Sequence, residues 1–103
     1  MRIISERASM LAAILTKERE KRVLRTTLVA HIAEQAQKYG PRCPATQATL
    51  RYNNSVLIKV HKPTPLWCVV DGHAYDCAVE DGTMDEIRRE TVFRVEVIDG
   101  RTL

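Results

Sequence analysis

Residues 41–60, PRCPATQATLRYNNSVLIKV, are where the chain changes its beat. From Ala48 the apolar side chains recur every second residue. Ala48, Leu50 and Tyr52 alternate with Thr49 and Arg51; Val56, Ile58 and Val60 alternate with Leu57, Lys59 and His61. A period of two is that of a pleated strand with one face buried. Asn53-Asn54 between the two runs tolerates positive φ and suits a tight hairpin turn. Pro41 to Gln47 reads as a connector. The switch near residue 45 divides one domain, residues 1–103, into a helical part (1–40) and a sheet part (46–103).

Upstream of the switch, residues 5–39 read as helix, with Ser5 placed to cap its start. Ile4, Ala8, Leu11 and Leu15 form one stripe, and Leu24, Leu28, Ile32 and Ala36 a second that is out of phase with the first. Between the stripes lies KEREKR, residues 17–22, with no apolar residue. Two readings fit: one continuous helix whose middle projects into water, or a helix pair. A break near Thr16, which would cap the second helix, is the reading preferred here. Gly40-Pro41 stops the helix.

Downstream, Leu66 to Val70 reads as a third strand and Asp71-Gly72 as a hairpin turn. Tyr75, Cys77 and Val79 then make a fourth. Pro63 and Pro65 end the strand before Leu66 because neither donates a ladder hydrogen bond. Thr83-Met84-Asp85-Glu86 has the form of a capping box, with a short helix running to about Glu90. Phe93, Val95 and Val97 form the last strand. The expected fold is α+β: an N-terminal helix or helix pair packed on a mostly antiparallel sheet of four to five strands, with one short helix before the last strand.

The totals agree with one ordinary globular domain: 103 residues, 45% apolar and 28% charged. The opening MRIISERASM places Glu6 and Arg7 where an export signal needs an apolar core, and no apolar run approaches the roughly 20 residues of a membrane span. Three cysteines make an odd count without the spacing of a disulfide scaffold. A cytoplasmic protein with no membrane partner is expected. Charge is uneven. Residues 1–42 hold nine Lys/Arg against four Asp/Glu, and residues 43–103 hold seven against nine.

Several groups invite chemistry. Cys68, His73 and Cys77, with His61, are zinc-type donors, but Cys-x4-His-x3-Cys straddles the expected hairpin and lacks a CxxC knuckle. A four-residue loop at 71–74 would set Cys68 opposite Cys77 for a disulfide. Cys43 follows Arg42, a neighbour able to lower a thiol pKa. Asp71, His73 and Asp76 could be drawn as an acid–base group, yet turns collect Asp for backbone reasons. There is no nucleophile elbow, phosphate-binding glycine loop, HExxH or dinucleotide fingerprint, so neither a catalytic set nor a metal or cofactor is expected.

Binding surfaces are the better candidates. Lys17, Arg19, Lys21, Arg22 and Arg25 form a basic helical segment; Asp71, Asp76, Glu80 and Asp81 belong to an acidic one. Leu57 and Trp67 alternate out of phase with Val56, Ile58, Leu66 and Cys68; where these outer faces coincide they form an apolar patch on the sheet's second face, the alternative being that helices cover both faces there. The expectation is a non-enzymatic interaction module: a small regulator or inhibitor of a protein partner. Such a compact, two-sided chain suits a phage- or plasmid-type accessory protein acting on host machinery. The alternative is a nucleic-acid-binding protein using the basic helix, and the third a small enzyme or metal-binding protein. Exposed strand edges also leave room for a homodimer.

Overall fold

A computed structural model describes residues 2–61, 65–90 and 94–103. Helix α1 (Arg2–Tyr39) is 38 residues long without interruption, about 57 Å at 1.5 Å per residue. It sets the molecule's long axis, 55 Å against 30 and 28 Å. The expected break at Thr16 does not occur: its hydroxyl donates back to Ala12 O at 2.8 Å inside the helix. Ser5 likewise lies within the helix, whose backbone is helical from Arg2. The stop is as expected, with Gly40 at φ 93° and its N–H on Ala36 O at 2.9 Å.

Strands β1 (Ser55–Val60), β2 (Leu66–Asp71) and β3 (Val95–Asp99) form one sheet in the order β2-β1-β3. Both outer strands are antiparallel to β1, with Leu57 opposite both Val69 and Ile98. β2 and β3 therefore run parallel to each other, and the chain joining them must cross over β1. Helices α2 (Gly72–Glu80) and α3 (Thr83–Glu90) lie in that crossover and pack on one another, and a single 3₁₀ turn (Gly100–Thr102) follows β3. The class is α+β, but among the described residues the sheet has three strands, not four or five.

Two expected strands are absent for local reasons. Residues 48–52 make only one bridge, Arg42 to Thr49. Their backbone is used by the preceding loop, with Cys43 N–H on Ala48 O and Leu50 N–H on Pro41 O. Asn54 takes the rest, accepting from Arg51 N–H and donating to Thr49 O. Residues 72–80 are helical because Asp71 acts as an N-cap, its carboxylate accepting from Ala74 N–H at 3.0 Å. Ahead of the next helix Asp81 accepts from the Thr83 N–H and hydroxyl, in place of the Thr83–Glu86 box. The expected roles of Pro63 and Phe93 lie outside the described residues.

The core sits between the C-terminal third of α1 and one face of the sheet. Leu28, Cys43, Leu50, Leu57, Val69 and Ile98 form it, with Ile32 and Trp67 packed at its margin. Directly opposed residues share a sheet face. The core face is thus the Leu57/Val69/Trp67 face, and the outer patch expected from Leu57 and Trp67 is not formed. Leu57 is buried beneath α1, and Trp67 stands edge-on to His31 with ring centroids 4.7 Å apart.

Arg101 fastens the end of the chain to the crossover. It forks onto Asp76 (2.8 and 3.0 Å) and reaches Asp99 through Nε and Nη2 (3.0 and 2.9 Å). Arg101 holds both carboxylates below their ordinary pKa, and the same contacts keep the guanidinium charged. A lowered folded-state pKa contributes stability above the unfolded value, lost as pH falls through the folded one. Arg101→Met should therefore melt below the parent at pH 7, and the gap should close as pH falls through and below about 4. Melting curves from pH 7 to 2.5 check this; a gap that stays constant with pH would refute it.

Candidate functional site

Every side chain from Arg7 to Leu24 is exposed. Of the two sequence stripes, only the second finds a partner: Leu28 is fully buried and Ile32 packs on the core. The first extends past the sheet into open space. Met10, Leu11, Ile14 and Leu15 are 65%, 58%, 55% and 51% exposed. A helical stretch with apolar residues and no tertiary packing is marginal alone, since most helix stability in proteins comes from a packed face. A contiguous exposed apolar patch of this sort marks a contact surface.

The basic residues lie on the same arm. Lys17, Arg19, Lys21 and Arg22 are exposed there. At 100° per residue they spread over about 200° of the circumference. Glu18 and Glu20 interrupt them. Arg25 is not part of that free set. It is partly buried, donates through Nη2 to Leu103 O at 2.7 Å, and lies 5.5 Å from the centre of the Tyr52 ring. Its role is to tie the C-terminal residue to α1.

The acidic segment resolves mostly into structural tasks. Asp71 caps α2, Asp76 is held by Arg101, and Asp81 accepts from Thr83 at the start of α3, with its pKa lowered chiefly by the Thr83 hydroxyl. Glu80 is exposed. The acid–base trio is thereby divided: the Asp71 and Asp76 carboxylates serve caps and ion pairs, while His73 is exposed with Nε2 3.8 Å from Cys77 Sγ, one helical turn away.

The three cysteines are free and are not brought together as a metal set or disulfide. Among the described residues no group of three or more His, Cys, Asp or Glu converges. His61, the proposed fourth ligand, instead bonds Glu96 at 2.8 Å and lowers that carboxyl's pKa. Cys43 is buried, which by itself pushes its thiol up. Hydrogen bonds from the Thr46 side chain and from the backbone at Asp71, Thr46 and Ala45 outweigh this and hold it below its ordinary value. These bonds, and not Arg42, perturb the thiol. The Asp71 N–H reaches Cys43 Sγ at 3.4 Å, so the sulfur accepts from an edge-strand amide in the core.

A cleft of about 450 Å³ opens between the end of α1, the following loop and β2, with Tyr39, Arg42, Pro44, Trp67 and Cys68 among its walls. Gln47, also on the wall, holds φ 66°, the left-handed region that costs most residues about 1–2 kcal/mol. Only the Gly40-Pro41 stop hinted that the chain turns sharply there.

Among the described residues no helix is long and apolar enough to cross a membrane. No protein-family model matches the chain, and no curated protein or solved structure matches it significantly.

Proposed function

We propose that this chain is a non-enzymatic protein-interaction module, a small cytoplasmic regulator or inhibitor that docks through the bare half of α1. The observation that carries the reading is the run Met10, Leu11, Ile14 and Leu15, each more than half exposed on a helix that has left its own domain. Apolar contacts there supply affinity, and the surrounding charges supply encounter rate and orientation. Three of the groups that could have served chemistry have structural work: Cys43 in the core, Asp71 as a cap, Asp76 under Arg101.

Nucleic-acid binding by the same helix is the rival, and two features weigh against it. Phosphate contact wants cations along one face, and here they spread over about 200° of the helix with glutamates among them. Residues 7–24 also contain no aromatic side chain for base stacking.

A photo-cross-linking amino acid placed at Ile14 tests the reading in the living host. Irradiation should yield cross-links to protein well above those from the same probe at Asn53, an exposed position on the globular end. Cross-links to nucleic acid, or a yield no greater than at Asn53, would overturn it.

A further inference from the structure

We propose that the arm pairs with the arm of a second copy of this chain, as an antiparallel helix dimer about a two-fold axis between residues 12 and 13. The inference rests on the docking role given to α1 above and names its occupant. Arg7, Met10, Leu11, Ile14, Leu15 and Glu18 fall within about 140° of one another on α1. They are spaced three, one, three, one and three residues apart, a pattern that reads the same in both directions. Rotation about the axis sets Met10 across from Leu15 of the other copy and Leu11 across from Ile14.

Charge decides the direction. The same rotation brings Arg7 of each copy to Glu18 of the other, giving two attractive pairs at the ends of the apolar patch. Parallel, in-register pairing would set Arg7 against Arg7 and Glu18 against Glu18. A two-fold interface must be self-complementary, and this face is so in the antiparallel sense only.

The fold leaves room for this arrangement. The paired face, residues 7–18, lies clear of Arg25 and Leu28, where α1 meets the rest of the chain. The two globular ends lie at opposite ends of the pair. No side chain from Arg7 to Leu24 has to leave a packed position. The four apolar residues and the stems of their charged neighbours bury about 1,000 Å² in total, near the lower bound for a specific interface, so a weak, reversible dimer is expected.

Sedimentation of the full chain, from about 1 to 300 µM, tests the proposal. The parent should pass from monomer to dimer across this range. Arg7→Glu or Glu18→Arg alone replaces two attractive pairs by two repulsive ones and should weaken association about tenfold, while the double exchange should return it to within about threefold of the parent. These positions are exposed, so circular dichroism should show all four proteins equally folded. A parent monomeric at the top concentration, single reversals without effect, or a double exchange that fails to restore association would overturn the pairing. A monomeric parent that still cross-links from Ile14 to another protein would sink the second copy and leave the docking role standing. Failure of both experiments would remove both.

Discussion

Gly100→Ala should be the most damaging methyl group that can be added to this protein. A Cβ at Gly100 would fall on the carbonyl oxygen of Tyr52 and within 2.6 Å of Leu28 Cδ2. The first neighbour is backbone and cannot turn aside; the second is fully buried in the core. To admit the methyl, the 3₁₀ turn must lift away from α1, taking with it the Leu103 carbonyl that Arg25 holds. Overpacking commonly costs about 1–3 kcal/mol where side chains can shift, and here they cannot, so a loss above about 3 kcal/mol is expected. For a domain of this size that lowers Tm by more than about 12 °C. Gly40→Ala is the control. It too adds one methyl, at φ 93°, but with nothing within 4 Å, so it meets only the left-handed backbone penalty of about 1–2 kcal/mol. Thermal melts of both variants decide the matter. A Gly100→Ala protein melting at or above Gly40→Ala would show that the close approach of the turn to Tyr52 is wrong.

That contact joins residues far apart in the chain, and it shows where sequence reading stopped. The α1 stop at Gly40-Pro41, the strands at 55–60 and 66–71 and the helix starting at Thr83 were legible because each rests on a local rule. Residues 72–80 were not, because Asp-Gly is both a hairpin turn and an N-cap followed by a helix. The alternation of Tyr75, Cys77 and Val79 favoured the first, but the less exposed residues, Ala74, Tyr75 and Ala78, lie at helical spacing. Which face of the sheet meets α1 was not legible for a related reason. SVLIKV and LWCVVD carry apolar residues in both alternations, so periodicity could not say which set meets α1. The arm was half legible: the sequence shows that Leu11 and Leu15 share a face, but only the length of α1 relative to the sheet shows that the face is bare.

Gln35 is the other residue whose importance no local pattern announces, and its substitution should show the second large effect. It is buried, 34 positions from its partner, and it bonds Val69 twice: Oε1 accepts from the Val69 N–H at 2.9 Å, and Nε2 donates to the Val69 carbonyl at 2.8 Å. One side-chain amide thus does for the outer edge of β2 what a neighbouring strand would do. Val69 is fully buried behind that amide, so both groups lose their partners if the amide is lost. Gln35→Ala should cost about 2–4 kcal/mol, from two stranded backbone groups at roughly 1–3 each, offset in part by local rearrangement. Gln35→Glu separates the two bonds. A carboxylate can still accept from the N–H but presents a lone pair to the carbonyl, whereas the protonated acid can satisfy both. The folded state therefore favours the protonated form and raises the pKa of the new group above its unfolded value near 4.3. With the folded pKa raised, the variant should match the parent most closely at low pH and lose ground as pH rises past about 4.3 and on through the folded value. Denaturant midpoints for parent and both variants at pH 4 and pH 7 measure this. A Gln35→Glu protein as stable as the parent at pH 7, or a deficit that does not change between the two pH values, would mean that the amide does not hold the edge of β2.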